Sequence, residues 1–202
     1  MGKALVCMLL ALPLAVACQV PGPVAPEHEA ELRSEPLPVQ VVALKRIVDS
    51  LSITPDSIRL YVDKRSRLFH VMAGSQVLKS YPCVLGENPV GDKRMQGDRR
   101  TPEGTFTFRY KYPHREWHKF VWVDYPNAES WKRFRERKRS KEIPESASIG
   151  GEIGIHGVPD GMDHWIMQGA DWTWGCIALR NADLDEIYPF IKPKVTTIVI
   201  VP

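Results

Sequence analysis

The chain has 202 residues, 44% apolar and 25% charged, with a formal net charge of +3. That balance excludes a disordered or fibrous chain and leaves room for one domain with a packed core. Residues 1–17 hold Lys3 and no acid, so the remaining chain carries 26 basic against 24 acidic side chains, a near-neutral sum that argues against a nucleic-acid partner.

At the start, an apolar run from Ala4 to Ala17 follows Lys3 and is interrupted by Pro13. It is too short to span a bilayer and suits a signal peptide over 1–17, so the chain is expected to be exported to the periplasm or cell envelope. Ala15-Val16-Ala17 suits ordinary cleavage after Ala17, and the next residue, Cys18, suits lipoprotein processing and a membrane anchor; both readings stay open. Residues 18–52 read as a Pro-rich tether with Pro21, Pro23, Pro26, Pro36 and Pro38, followed by a short helix marked by Val39, Val42, Leu44, Ile47, Val48 and Leu51. The folded domain is expected over 53–202.

Strand-like stretches dominate that domain: 58–62, 67–73, 76–86, 104–110, 119–125, 152–157 and 196–202. The first three, separated by short turns, predict an antiparallel meander. Two helices interrupt the pattern. "ESWKRFRERKRSKE" (129–142) has seven Lys or Arg among residues 132–141, with Trp131 and Phe134 spaced to dock it. Such a charge run is ordinarily a solvated face; a lid or an anion-facing patch is the functional alternative. The second helix starts at Ala182 or Asp183 and runs to about Ile191, where Asp183 and Glu186 have capping-box spacing. The fold class is therefore mainly β with a few helices.

Chemistry concentrates late in the chain. His156 ends a strand-like run and precedes Gly157; Cys176 follows Gly175 in "ADWTWGCIALRN". Alone, Cys176 is open to four fates: packing, a disulfide with Cys83, metal ligation or nucleophilic attack. A thiol is only a few per cent ionised at neutral pH, and an imidazole that accepts its proton creates a nucleophile. Gly175 permits a close backbone approach, so nearby amides can face an oxyanion. His156, Asp163, His164 and Cys176 are all metal-ligand types, but their spacing matches no standard zinc pattern, and neither metal nor other cofactor is expected.

"IHG", sixteen residues and then "TWGCIAL" resembles the signature of the L,D-transpeptidase catalytic domain, a family of exported cysteine enzymes acting on peptidoglycan stem peptides. "GDKRMQGDRRTPEGTF" (91–106), "YPNAES" (125–130) and "NADLDEIY" (181–188) add to the resemblance, which covers about 55–202. It implies a β-sandwich or barrel of mixed strands. It also implies that Cys176 attacks the bond between the third residue and the terminal D-alanine of a stem tetrapeptide, with His156 as base and then acid. Gly175 would contribute to the oxyanion site, and Gly157 or its carbonyl would orient His156.

Thr173 would bond to His156 or to the backbone near Cys176, and Trp172 and Trp174 would wall the donor groove. Relatives often have His where this chain has Trp174, and Arg where it has Ala178; Arg180 would then either take over binding of a stem carboxylate or make an ordinary surface ion pair. A hydrolase on the same site, and a peptidoglycan-binding module with Cys176 locked to Cys83, are the alternatives.

Overall fold

The computed structural model describes residues 42–202 together with Gly2. The expected signal peptide, the Cys18 lipidation site and the Pro-rich tether therefore lie outside the described residues. Residues 42–202 lie within one compact unit. It opens with helix α1 (Leu44–Ser50), whose Leu44 and Val48 are buried in the core, so the short helix expected before the domain packs into it.

Strands β1 (Ile58–Asp63), β2 (Leu68–Ala73) and β3 (Gln76–Pro82) form the antiparallel meander that the sequence predicts. The run expected at 104–110 divides into β4 (Gly104–Phe106) and β5 (Phe108–His114), and the two halves join different sheets. Phe106 and Phe108 are both buried in the shared core, two apolar anchors that hold the chain as it crosses from one sheet to the other. Next come β6 (His118–Val123), helix α2 (Ala128–Arg139), β7 (Gly154–His156), the single turn α3 (His164–Met167) and β8 (Ile177–Ala178). Helix α4 (Asn181–Ile187), a 3-10 turn and β9 (Ile198–Val201) complete the unit.

One sheet has the order β3-β2-β1-β9-β4, with β1 and β9 parallel; the other has β5-β6-β7-β8, with β7 and β8 parallel. Leu60, Val62, Phe69, Val71, Ile198 and Ile200 from the first sheet share one cluster with Val121, Val123, Ile155 and Ile177 from the second. Full burial of such side chains stabilises the fold by about 1.5–3 kcal/mol each. Because side chains alternate along a strand, placing Val121, Ile155 and Ile177 in this core turns Phe120, Trp122, Gly154 and His156 to the other face of the second sheet.

Two helix expectations need correction. Helix α2 docks through Phe134 and Ser130, while Trp131 stays 42% exposed; its N-terminus is capped by Asn127, whose side chain accepts from the Ser130 N–H at 3.0 Å. The capping box at Asp183 and Glu186 does not form. Arg180 is the N-cap residue of α4, Asp183 binds its guanidinium, and Glu186 instead accepts from Lys79, Tyr81 and the Leu44 N–H. Stronger cationic and phenolic partners thus occupy the carboxylates that local sequence would assign to the cap.

Candidate active site

Strands β7 and β8 run side by side with Ile155 opposite Ile177 and His156 opposite Ala178. One step back along the same register, Cys176 falls in line with Gly154. The alternation that points His156 away from the core points Cys176 the same way, on a neighbouring strand and offset by two residues. Parallel pairing of two short strands thereby brings together the residues that the sequence separates by twenty positions.

The His156 imidazole is 4% exposed. Phe120 stacks flat on it, with centroids 5.8 Å apart and planes 6° from parallel. Trp117 lies 5.1 Å away and Trp172 meets it edge-on at 5.7 Å. Gly154 is what admits this packing, since a side chain there would collide with the Phe120 ring. His156 Nδ1 donates to the Gly157 carbonyl at 2.7 Å, which fixes the tautomer and leaves Nε2 unprotonated. Burial pushes the imidazole down to about 4, against the opposing pull of the Gly157 bond.

Cys176 closes a turn organised by Thr173. The buried Thr173 hydroxyl donates to the Cys176 carbonyl at 2.7 Å and accepts from the Gly175 N–H at 3.2 Å, so of the two partners expected for it the backbone near Cys176 is the one found. Gly175 sits at φ +127°, and a Cβ there would come within 2.7 Å of the Arg100 carbonyl. Only glycine lets this turn pack so tightly on the loop before β4. The Cys176 thiol faces the Glu152 carbonyl at 3.5 Å, and Glu152 itself holds a left-handed φ of 59°. Burial pushes the thiol up to about 11, opposed by the Gly154 N–H and by the charge of Lys93. The higher thiolate fraction that a neighbouring imidazole alone would give is therefore outweighed by desolvation in the resting site.

Lys93, whose charge reaches the Cys176 thiol, was not singled out by the sequence. It is 4% exposed, bound to Asp98 at 2.8 Å, and the nearest signal is its place in "GDKRMQGD". Burial raises the Asp98 carboxyl, but bonds from Lys93 and from the Arg94 and Arg100 amides outweigh it and hold the group below its ordinary value. Helix α2 braces this loop: Arg137 binds Asp92 and the Lys93 carbonyl, and Arg133 binds the Glu103 carbonyl. From the other side, buried Lys64 holds Gly91, Thr101 and Glu103. Part of the basic run thus has a scaffold role, while Lys132, Arg135 and Arg139 remain exposed.

Trp172 is half-buried against Trp117, Trp165 and His156. Trp174 is 75% exposed, with the Arg99 guanidinium 5.5 Å from its ring. Arg180 is committed to Asp183 through Nε at 2.6 Å and Nη2 at 2.8 Å. Asp163 accepts the Asn181 N–H, and His164 opens α3. Cys83 is 1% exposed, and Cys83 and Cys176 are both free thiols, so the disulfide left open by the sequence is not formed.

Residues 57–200 match the family described as YkuD, the L,D-transpeptidase catalytic domain. The chain is 25% identical over 171 residues to the provisionally named L,D-transpeptidase YafK of Escherichia coli strain K12, an alignment covering 84% of this chain and 52% of that protein. It therefore spans about half the length of that relative. Among solved structures, Bd1075 of Bdellovibrio bacteriovorus superposes with a TM-score of 0.50 at 22% identity, over 72% of this chain and 48% of that one. A point variant of the helical cell shape determining protein Pgp2 of Campylobacter jejuni gives 0.50 at 18%, over 78% and 53%. These likenesses support the fold, and the family match covers well over half of the sequence: the chain belongs to the L,D-transpeptidase catalytic domain family.

Proposed function

We propose that the protein is a cysteine acyltransferase acting on peptidoglycan stem peptides, with Cys176 as nucleophile and His156 as its base and acid. The observation that carries this reading is the imidazole tautomer: Nδ1 is engaged by Gly157, so the bare Nε2 is free to take the proton of a thiol on the adjoining strand. Both groups rest neutral. As Sγ meets the carbonyl carbon of the stem's third residue, the thiol proton passes to Nε2 and the S–C bond forms. The Cys176 amide is the donor we assign to the oxyanion, because the Gly175 N–H is engaged by Thr173. The imidazolium then protonates the departing amine of D-alanine, the C–N bond breaks, and a thioester remains. An amine acceptor completes transfer; water completes hydrolysis.

Trp172 and Trp174 serve as groove walls in this reading. Arg180, held by Asp183, orients the start of α4 rather than reaching the substrate. The chain would work in the cell envelope, where its substrate lies, and a lipid anchor at Cys18 is a separate proposal that labelling with a radioactive fatty acid tests. Incubation with peptidoglycan tetrapeptide fragments, followed by mass spectrometry, tests the chemistry. Cross-linked dimers that vanish in Cys176→Ala support transfer. Tripeptide alone identifies a hydrolase, and unchanged substrate rejects both.

A further inference from the structure

The site face of the second sheet carries a row of aromatic rings that the chemistry above does not use. Register places Phe120 opposite His156, Trp122 opposite Gly154 and Tyr112 opposite Phe120, all on the face of the imidazole. The rings touch in sequence: Phe120 to Trp122 at 5.2 Å, Trp122 to Tyr110 at 5.6 Å, and Tyr110 to Tyr112 at 6.1 Å. Tyr110 is 51% exposed, and Tyr112 and Trp122 are half-buried on the outermost two strands of the sheet. None of these four rings is charged.

We propose that Trp122, Tyr110 and Tyr112 form a platform for a sugar ring of the glycan strand that bears the stem peptide; this rests on the acyl-transfer reading of Cys176. Three arguments converge. The platform is continuous with the thiol, because Cys176, Gly154, Trp122 and Tyr110 occupy successive strands on one face. With strands about 4.8 Å apart, Trp122 lies about 10 Å and Tyr110 about 14 Å from the nucleophile. Three stem residues separate the glycan from the scissile carbonyl, and three extended residues span about 10 Å. A stem laid across the strands with its third carbonyl at Cys176 therefore delivers its sugar to Trp122 and Tyr110.

The chemistry also fits. An N-acetylated sugar presents an uncharged face of C–H groups, which the electron-rich faces of Tyr and Trp attract, while its hydroxyls meet solvent at the edge. The Phe120 ring lies over Gly154, so the path from thiol to platform runs across an aromatic face.

Peptide-free N-acetylated glycan oligomers titrated against the full chain provide the direct test, read by tryptophan fluorescence and calorimetry. Saturable binding that weakens about tenfold in Tyr110→Ser, whose exposed position spares the fold, supports the platform; Trp122→Ala is the second variant. No binding, or equal binding by wild type and Tyr110→Ser, overturns it. In turnover, the KM for a free tetrapeptide should exceed that for a disaccharide tetrapeptide, and Tyr110→Ser should collapse the ratio toward one. An equal rise in KM for both substrates would show that the rings hold peptide rather than sugar. The glycan titration needs no catalysis, so an inert Cys176 leaves it decisive, and failed glycan binding beside intact turnover leaves acyl transfer standing.

Discussion

His156 and Cys176 are held neutral by the same cause, burial, and this has a consequence for stability as well as for chemistry. An unfolded imidazole titrates near 6.5, whereas in the fold His156 stays neutral down to about 4. Between those values the unfolded chain binds a proton that the folded chain does not, so stability falls as pH drops through that window, by about 3 kcal/mol. Urea midpoints measured from pH 7 to pH 4 should show this decline, and His156→Gln should flatten it. The same substitution should lower kcat by at least 10²-fold, through loss of the base. As members of the candidate site, Cys176 and His156 were legible because a short motif holds both. Lys93 was not, since a lysine in a loop acquires meaning only when folding buries it on Asp98, where its charge acts on the thiol. Arg180 was open to two readings because sequence spacing cannot tell a carboxylate of substrate from that of Asp183 one helical turn on.

Among the elements, α4 and α2 make long-range hydrogen bonds that local pattern could not foretell. Glu186 on α4 gathers Lys79, Tyr81 and the Leu44 N–H, joining α1 and β3 at one carboxylate. Removing it in Glu186→Ala leaves a buried ammonium with the Val42 carbonyl as its remaining hydrogen-bond partner, so a loss of about 2–3 kcal/mol is expected in chemical denaturation. Arg137→Ala on α2 should loosen the segment that supplies Lys93. Faster hydrogen exchange at residues 91–98 with little change in the core strands would mark that effect. The strands of the meander were legible from alternation and short turns. The division at Thr107 was not, because "GTFTFRY" keeps one unbroken apolar alternation while its two halves pair with different sheets.

At the scale of the molecule, both sheets, α1 and α4 contribute to one cluster, so residues 42–202 should unfold in a single transition. Thiol accessibility gives an independent check. Cys176 should react with an alkylating agent in the native state, and Cys83, at 1% exposed, only after global unfolding. The elevated thiol also bears on how long such a protein stays serviceable. Peroxide attacks the thiolate, and a group held near 11 rather than 8.5 offers about 300-fold less of it at neutral pH. On the acyl-transfer reading, a nucleophile that ionises only against its substrate would age slowly between turnovers. The peroxide inactivation rate compared with free cysteine measures that durability.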